Sequence, residues 1–449
     1  MLQTCQFRQK NKMEVAMELK RDVYLDRLIV RKHNGLIKVI TGIRRSGKSY
    51  LLNTLFYRHL IAENISEDHI IKFAFDSAED LLKIGEDPIV LDNEKEDRKV
   101  DPSKFINWLM PQIKGDGMYY LLLDEVQKLG AFESVLNGFL RRENLDVYVT
   151  GSNSKFLSKD VLTEFRGRGD EVHVLPLSFS EYYAFKQGDK SEAYDDYSVY
   201  GGLPAVALMA TEEQKTNYLI SQMQNLYLRD IVNRYAVQDE TALGEVIDVI
   251  ASGISTLTNP RKIANTMNTI HGTKTCDATV DRYIGYAEEA FILTRVKRYN
   301  VKGRKYIGTP YKIYFEDVGL RNVRLSFRQI EGTHMMENII YNELRYRGYQ
   351  VDVGTVESRE KDSSGKEIRV QREIDFIASL GSKKYYIQSA YAIPDQEKYE
   401  QETKSFEHTM DSFKKIIIIE KSMKPRYDEH GYLMMGVKEF LLDANSLLI

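Results

Sequence analysis

The sequence predicts an α/β chain: a doubly wound parallel sheet first, then a helical and winged-helix region, then a second α/β unit. Three features predict it. The apolar run Leu36-Ile37-Lys38-Val39-Ile40 passes through a glycine-rich loop into the helical pattern Tyr50-Leu51-Leu52-Asn53-Thr54-Leu55. The run Met118-Tyr119-Tyr120-Leu121-Leu122-Leu123 ends in Asp124-Glu125, and its unbroken apolar character suits a strand buried on both faces. After residue 330 a mostly helical stretch gives way to one helix followed by strands.

The loop reads Gly42-Ile43-Arg44-Arg45-Ser46-Gly47-Lys48-Ser49, a full G-x-x-x-x-G-K-[ST] pattern between strand and helix. Gly42 and Gly47 let successive backbone N–H groups turn toward phosphates, and the helix N-terminus behind them favours negative charge. Lys48 reaches the β- and γ-phosphates, and the Ser49 hydroxyl ligates Mg²⁺. The expected ligands are ATP and Mg²⁺, held by Gly42, Ile43, Arg44, Arg45, Ser46, Gly47, Lys48, Ser49 and Tyr50. Within that set Arg44 and Arg45 are assigned to acidic partners or a second ligand rather than to phosphate.

Asp124 then holds Mg²⁺ from the C-terminal end of its strand, where open α/β sheets place ligands, and Glu125 polarises the attacking water. His69-Ile70-Ile71-Lys72-Phe73-Ala74-Phe75-Asp76 reads as a further strand between the two motifs in sequence. Asp146-Val147-Tyr148-Val149-Thr150 is another, and Ser152 or Asn153 at its tip is the candidate sensor of the γ-phosphate. Arg166 and Arg168, ahead of Glu171-Val172-His173-Val174-Leu175, are candidate arginine fingers acting within the chain or on a neighbour.

These residues resemble the prokaryotic AAA-like ATPases of the archaeal-ATPase type. The phosphate loop, Leu121-Leu122-Leu123-Asp124-Glu125-Val126-Gln127, Thr150-Gly151-Ser152-Asn153, and Gly167-Arg168 through Leu175-Pro176-Leu177-Ser178-Phe179-Ser180-Glu181-Tyr182 carry the likeness. Tyr200-Gly201-Gly202-Leu203-Pro204 and Tyr227-Leu228-Arg229-Asp230-Ile231 are similar to the helical segment that follows the ATPase core in that family. The resemblance implies ATP binding and a C-terminal uncharacterised domain related to restriction-endonuclease folds. It leaves the cellular role open.

A chain of 449 residues suits several domains, expected at 1–19 (leader), 20–185 (ATPase), 186–245 (helical), 246–330 (winged-helix-like) and 331–449 (endonuclease-like). No run of eighteen apolar residues predicts a membrane span. The two cysteines, Cys5 and Cys276, make neither a disulfide framework nor a zinc site, so a reducing cytoplasm is expected. A net charge of −3 argues against coating nucleic acid over the whole surface, but leaves room for one basic face.

Such a face is expected in the middle region. Two short helical patterns, from Asn259 to Ala290, precede Phe291-Ile292-Leu293-Thr294-Arg295-Val296-Lys297-Arg298-Tyr299, a turn at Lys302-Gly303-Arg304-Lys305, and Tyr311-Lys312-Ile313-Tyr314-Phe315. Helices followed by a hairpin form a winged-helix pattern. Arg295, Lys297, Arg298, Lys302, Arg304 and Lys305 are the candidate DNA contacts, with Tyr299 and Tyr306 interleaved. A structural or protein-binding role competes with DNA binding, since lysines also blunt sheet edges.

The last region presents the helix 336–344, a strand with Asp375, and Lys384-Tyr385-Tyr386-Ile387-Gln388-Ser389-Ala390. It resembles the endonuclease core with its D…(E/Q)-x-K motif, in which two acidic ligands hold metal and a lysine orients water. Asp375 and Gln388 fit, Glu337 is an additional ligand candidate, and the lysine position is Ala390. A catalytically silent domain is expected, with Lys398 the substitute from the next helix if it does cut. The rival functions are a nucleotide-gated DNA-binding switch and an ATP-dependent nuclease of a genome-defence system.

Overall fold

The computed structural model describes residues 19–91, 98–151, 167–272, 274–361 and 366–449. Its first sheet contains β1 (Ile37–Thr41), β2 (Ile70–Ala74), β3 (Tyr119–Asp124), β4 (Leu145–Thr150) and β5 (Gly169–His173), all parallel, in the order β2-β3-β4-β1-β5. The strand downstream of the carboxylate motif, β4, therefore lies between the phosphate-loop strand and the Asp124 strand. In β3 the side chains alternate between two apolar layers. Leu121 and Leu123 join Phe73, Phe75, Phe105 and Phe139 on one face. Tyr120 and Leu122 join Ile40, Leu51, Phe56 and Tyr148 on the other. Covering both faces explains why β3 reads as an unbroken apolar run. A buried ion pair crosses this sheet: Lys38 of β1, fully buried, is paired with Asp146 of β4, which also accepts a 2.9 Å hydrogen bond from Tyr148.

The helix behind the phosphate loop begins as Lys48–Tyr50, widens into a π-helical stretch Leu51–Phe56 and closes as Tyr57–Ala62. After residue 177 the chain is helical as far as Glu289, with a second π-helical stretch at Gln222–Leu228. The helices Glu240–Ser252, Pro260–His271 and Asp277–Glu289 lead into the hairpin β6 (Leu293–Asn300) and β7 (Lys305–Phe315). Thr258, between the first two of these helices, bridges antiparallel to Tyr311 of β7.

The hairpin does not stand apart as a wing. Arg298–Asn300 of β6 pair in parallel with residues 353–355 of β8 (Gln350–Lys361), which places the hairpin at one edge of the C-terminal sheet. That sheet continues through β9 (Glu367–Leu380), β10 (Lys383–Ala390), β11 (Lys414–Ile419), β12 (Arg426–Tyr427) and β13 (Leu433–Gly436), in the order β12-β13-β11-β10-β9-β8-β6-β7. The expected boundary at 330/331 is thus crossed by backbone hydrogen bonds. The boundary at 245/246 falls inside the helix Glu240–Ser252. One apolar core runs without interruption from Leu177 through Val246, Ile284 and Phe315 to Phe440. The helix Gly332–Tyr346, longer than expected, packs on that core through Met336, Ile340 and Leu344. The helix that carries Lys398 runs only from Gln396 to Thr403 and is followed by the 3₁₀ turn Phe406–His408.

Candidate nucleotide site

The strands β1, β3 and β4 end side by side, and the residues at their tips build the site. Gly42 follows β1 with φ 133°, and a Cβ there would collide with the Val174 carbonyl, so only glycine fits. Gly47, with φ 94°, opens the helix at Lys48. Lys48 is buried, and its ammonium donates to the carbonyls of Gly42 and Ile43 at 2.9 Å each. Burial pulls its pKa down to about 8, while Glu125 and Asp124 resist the shift. The Ser46 hydroxyl is buried inside the loop with no hydrogen-bond partner among the described residues. An orphaned donor in a cradle of backbone N–H groups suits an anion.

Asp124 is the hub of the polar cluster. Thr150 Oγ1 donates to one oxygen and Asn53 Nδ2 to the other at 3.1 Å, and the Ser49 hydroxyl also bonds the carboxylate. Burial raises its pKa, against the pull of those bonds. Ser49 and Asp124, the two residues assigned to metal, are therefore in direct contact. Glu125 sits in the left-handed region at φ 51°, a conformation uncommon for a non-glycine side chain, and its N–H donates to Thr150 Oγ1 at 3.1 Å. Gln127 donates to its carboxylate. Burial raises the pKa of Asp76, just beyond β2, and the like charge of Glu125 adds to the shift.

The phosphate loop is gripped from outside the sheet as well. Arg21, 2% exposed, donates to the Ser46 carbonyl at 3.1 Å and the Leu175 carbonyl at 2.6 Å, and pairs with Glu181 at 3.3 Å. Arg44 pairs with Asp230 at 2.8 Å, as its assignment to an acidic partner anticipates, and its carbonyl accepts from Tyr227 at 2.9 Å. Arg45 is exposed at φ 65°, and Tyr50 is half-buried. Gly201 and Gly202 leave no space for a Cβ against Asp317 and the Leu177 carbonyl. Pro204, two residues on, comes beside Gly47.

Several expectations change at this point. Arg168 is exposed, and its carbonyl accepts from the N–H of Ile37, at the opposite end of β1 from Gly42. Five strand residues separate those ends by about 16 Å, so Arg168 does not reach a phosphate bound by its own chain. Ser152, Asn153 and Arg166 lie outside the described residues. Thr150, one turn of the motif earlier, is the polar residue that links Asp124 to Glu125. Arg21, Asn53, Asp76 and Thr150 were missed because they are ordinary polar residues whose partners lie 25 or more positions away, apart from the strand-tip location that Thr150 and Asp76 share with Asp124.

The basic face is also smaller than expected. Arg295 pairs with Asp281 and Glu288 at 2.5 Å each. Arg298, 6% exposed, donates to Thr355 and Gln371. Lys302 donates to the Glu357 carbonyl at 2.9 Å. Lys297, Arg304 and Lys305 are exposed. Lys312 points inward to Glu337 (2.8 Å), Glu373 (2.6 Å) and Asp375 (3.1 Å). Gln388 accepts from the Asp375 N–H at 3.4 Å and donates to Glu402 at 3.1 Å. Lys398 bonds Glu402 at 2.5 Å and so stops short of Asp375. Among the described residues no group of three His, Cys, Asp or Glu is arranged to hold a metal. In the carboxylate cluster of the C-terminal sheet the cation is an ammonium.

A parallel sheet in the order β2-β3-β4-β1-β5, with a phosphate loop after β1 and paired carboxylates after β3, defines a P-loop ATPase of AAA type. A comparison with known protein families agrees for the first part of the chain. The pattern of an AAA domain matches residues 34–183, and that of a domain of unknown function matches residues 191–331. The chain is 34% identical to an uncharacterized protein of Haemophilus influenzae over 91% of its own length and 95% of that protein's. It is 26% identical to the uncharacterized protein MJ1544 of Methanocaldococcus jannaschii, over 96% and 91% of the two chains. Among solved structures it is similar to a Walker-type ATPase of Pyrococcus abyssi, with 13% identity, TM-score 0.48, and coverage of 69% of this chain and 96% of that one. The chain belongs to the family of the Haemophilus influenzae protein. No helix among the described residues is long and apolar enough to cross a membrane.

Proposed function

We propose that the chain is a Mg²⁺-dependent ATP hydrolase in which the nucleotide state acts on the helical and C-terminal regions. The observation that carries this reading is the contact of Ser49 with Asp124 beside a buried Lys48 and the Glu125 carboxylate. A hydroxyl and a carboxylate suit a hard cation that completes its shell with phosphate oxygens and water. Mg²⁺ held by Ser49 and Asp124 would neutralise charge on the β- and γ-phosphate oxygens. Lys48 exchanges the Gly42 and Ile43 carbonyls for phosphate. Glu125 accepts a hydrogen bond from water as its oxygen attacks the γ-phosphorus, and the bond to the β-phosphate bridging oxygen breaks. Thr150 keeps Asp124 and Glu125 in register. Arg168, remote from its own site, is a finger only for a neighbouring molecule. Hydrolysis measured with Lys48→Ala and Glu125→Gln tests the assignment.

For residues 240–315 we favour a winged helix used as a structural unit. The three helices, the Thr258–Tyr311 bridge and the hairpin support the arrangement. The third helix, which in such a unit would enter a groove of DNA, carries Asp277, Asp281, Glu288 and Glu289 against Arg282, and Arg295 offsets only Asp281 and Glu288. Phosphate repels such a helix. DNA contact is then confined to the hairpin tip. Replacing Lys302, Arg304 and Lys305 with Ala would flatten the log K versus log salt slope by roughly 2–3 units if that tip meets duplex phosphates; an unchanged slope leaves the hairpin structural. The region 331–449 we read as an endonuclease-like fold that does not cut, because Ala390 lacks an amine and Lys312 fills the carboxylate cluster. Plasmid DNA should survive Mg²⁺ or Mn²⁺ with or without ATP. Cleavage abolished by Asp375→Ala would instead show that this site cuts, with Lys312 the lysine beside its carboxylates.

A further inference from the structure

One strand joins the nucleotide site to the carboxylate cluster of the C-terminal sheet. Alternate residues of a strand share a face, and on β7 and its continuation these are Lys312, Tyr314 and Glu316. Lys312 holds Glu337, Glu373 and Asp375, and Tyr314 donates to Glu337 at 2.7 Å. Glu316, 3% exposed, bonds His173 Nε2 at 3.0 Å and Arg345 at 3.1 Å. His173 ends β5, and its Nδ1 lies 3.0 Å from Thr41 Oγ1, the last residue before the phosphate loop. Thr41 has one hydroxyl proton, which it donates to Glu171 at 2.7 Å. Its oxygen therefore accepts from His173 Nδ1, while Nε2 donates to the carboxylate of Glu316. The His173 ring and the Arg345 guanidinium thus both face the Glu316 carboxylate. Burial alone would raise the Glu316 pKa, but these two neighbours bring it below its ordinary value.

The residue after His173 grips the other side of the same junction. The Val174 N–H donates to the Thr41 carbonyl at 2.8 Å, and Gly42 packs against the Val174 carbonyl. Glu316 is also among the charges that support the ammonium form of Lys48. The next residue, Asp317, accepts from the Gly202 N–H at 2.8 Å, two residues before Pro204, which backs Gly47. Two consecutive residues leaving the C-terminal sheet thus reach the two ends of the phosphate loop.

We propose that Glu316 is a positioning residue through which the C-terminal sheet and the phosphate loop set one another's geometry. The proposal rests on the ATPase reading. When Lys48 leaves the Gly42 and Ile43 carbonyls for phosphate, the loop opens against a base at Thr41–Gly42 that Glu316 holds through His173. Movement of the loop is transmitted to β7, to Arg345 on the helix Gly332–Tyr346, and to the Lys312 cluster. Coupling of this kind is reciprocal in binding free energy.

The test uses the full chain with fluorescent mant-ATP and Mg²⁺, single-turnover hydrolysis, and hydrogen exchange of residues 332–346. In the wild type, nucleotide should change exchange in that helix. Glu316→Gln should abolish the change and lower turnover about tenfold while mant-ATP affinity stays within about threefold, the signature of lost positioning rather than lost binding. His173→Gln should do the same, the double variant should be no worse than either single one, and Glu316→Asp should recover part of the loss. Unchanged turnover per folded molecule, or fully additive losses, would overturn the proposal. If Glu316→Gln does not fold, the wild-type exchange decides alone. Nucleotide binding with no response in 332–346 refutes the relay, whereas failure to bind mant-ATP at all refutes the ATPase reading on which it stands.

Discussion

In the proposed ATPase, Lys48 and Glu125 have different roles with charges of opposite sign, and their replacement should separate binding from turnover. Lys48→Ala deletes a phosphate contact and should weaken nucleotide affinity. Glu125→Gln leaves Ser49, Asp124 and the loop in place, yet should lower kcat by ~10²-fold or more through lost water activation. Equilibrium binding and single-turnover rates check both; weakened affinity with an unchanged rate per bound ATP in Glu125→Gln would refute its role. Asp317 offers a different residue-scale test. Burial raises its pKa from 3.8 to about 6, against hydrogen bonds from the Gly202 and Leu320 N–H groups among others. The folded chain then binds a proton that the unfolded chain has released between those values, so stability falls as pH rises from about 4 to about 6. A shift of this size corresponds to about 3 kcal/mol. Urea unfolding of Asp317→Asn against the wild type across that window should lack this component; identical pH slopes would show that Asp317 does not titrate as the fold demands. These residue roles were unevenly legible in the sequence. Gly42 to Ser49 and Asp124-Glu125 are contiguous motifs whose chemistry fixes their types. Arg21, Thr150 and Glu316 act through partners 25, 26 and 143 positions away, and nothing local distinguishes them from surface polar residues.

At the scale of elements, β7 carries more than its sequence suggests. A run of basic residues around a turn reads as an exposed wing, and that reading holds for Arg304 and Lys305 near the tip. It fails for Lys312, 3% exposed, because past the turn this edge strand is covered by the helix Gly332–Tyr346 and β9, whose Glu337, Glu373 and Asp375 enclose the ammonium. Composition cannot say where along a strand solvent ends. The helices and strands themselves were legible through apolar periodicity, whereas the pairing of β6 with β8 depends on a register between segments more than fifty residues apart. Lys312 now predicts its own test. Lys312→Met keeps the stem and removes the cation from three acidic neighbours, a change expected to cost about 3–5 kcal/mol at neutral pH. The loss should shrink as the carboxylates are protonated in acid. Chemical denaturation at pH 7 and pH 5 measures it, and an equally stable variant at both would show that the cluster is solvated rather than paired.

At the scale of the whole molecule, the chain has fewer independent parts than its motifs imply. The ATPase sheet has two apolar layers of its own, one on each face. From Leu177 onward most of the chain shares one core, to which Ile43 of the phosphate loop also contributes, and a smaller cluster around Ile374, Tyr386, Phe406 and Ile417 packs within the C-terminal sheet. A chain ending at residue 330 would remove β8 from the edge of β6, uncover Val296, Ile313 and Phe315 in the shared core, and leave Lys312 buried without Glu337, Glu373 and Asp375. It would also remove Arg345 from Glu316. Losing the partners of Lys312 costs about 3–5 kcal/mol, and together with a halved core this exceeds a stability of about 5–15 kcal/mol. We therefore expect that this truncated chain does not fold beyond the ATPase sheet, and that calorimetry of the full chain shows residues 177–449 unfolding as one cooperative transition. A soluble chain of residues 19–330 with a sharp two-state transition and full ATP turnover would show instead that the C-terminal region is an appendage, and that the phosphate loop needs nothing from it.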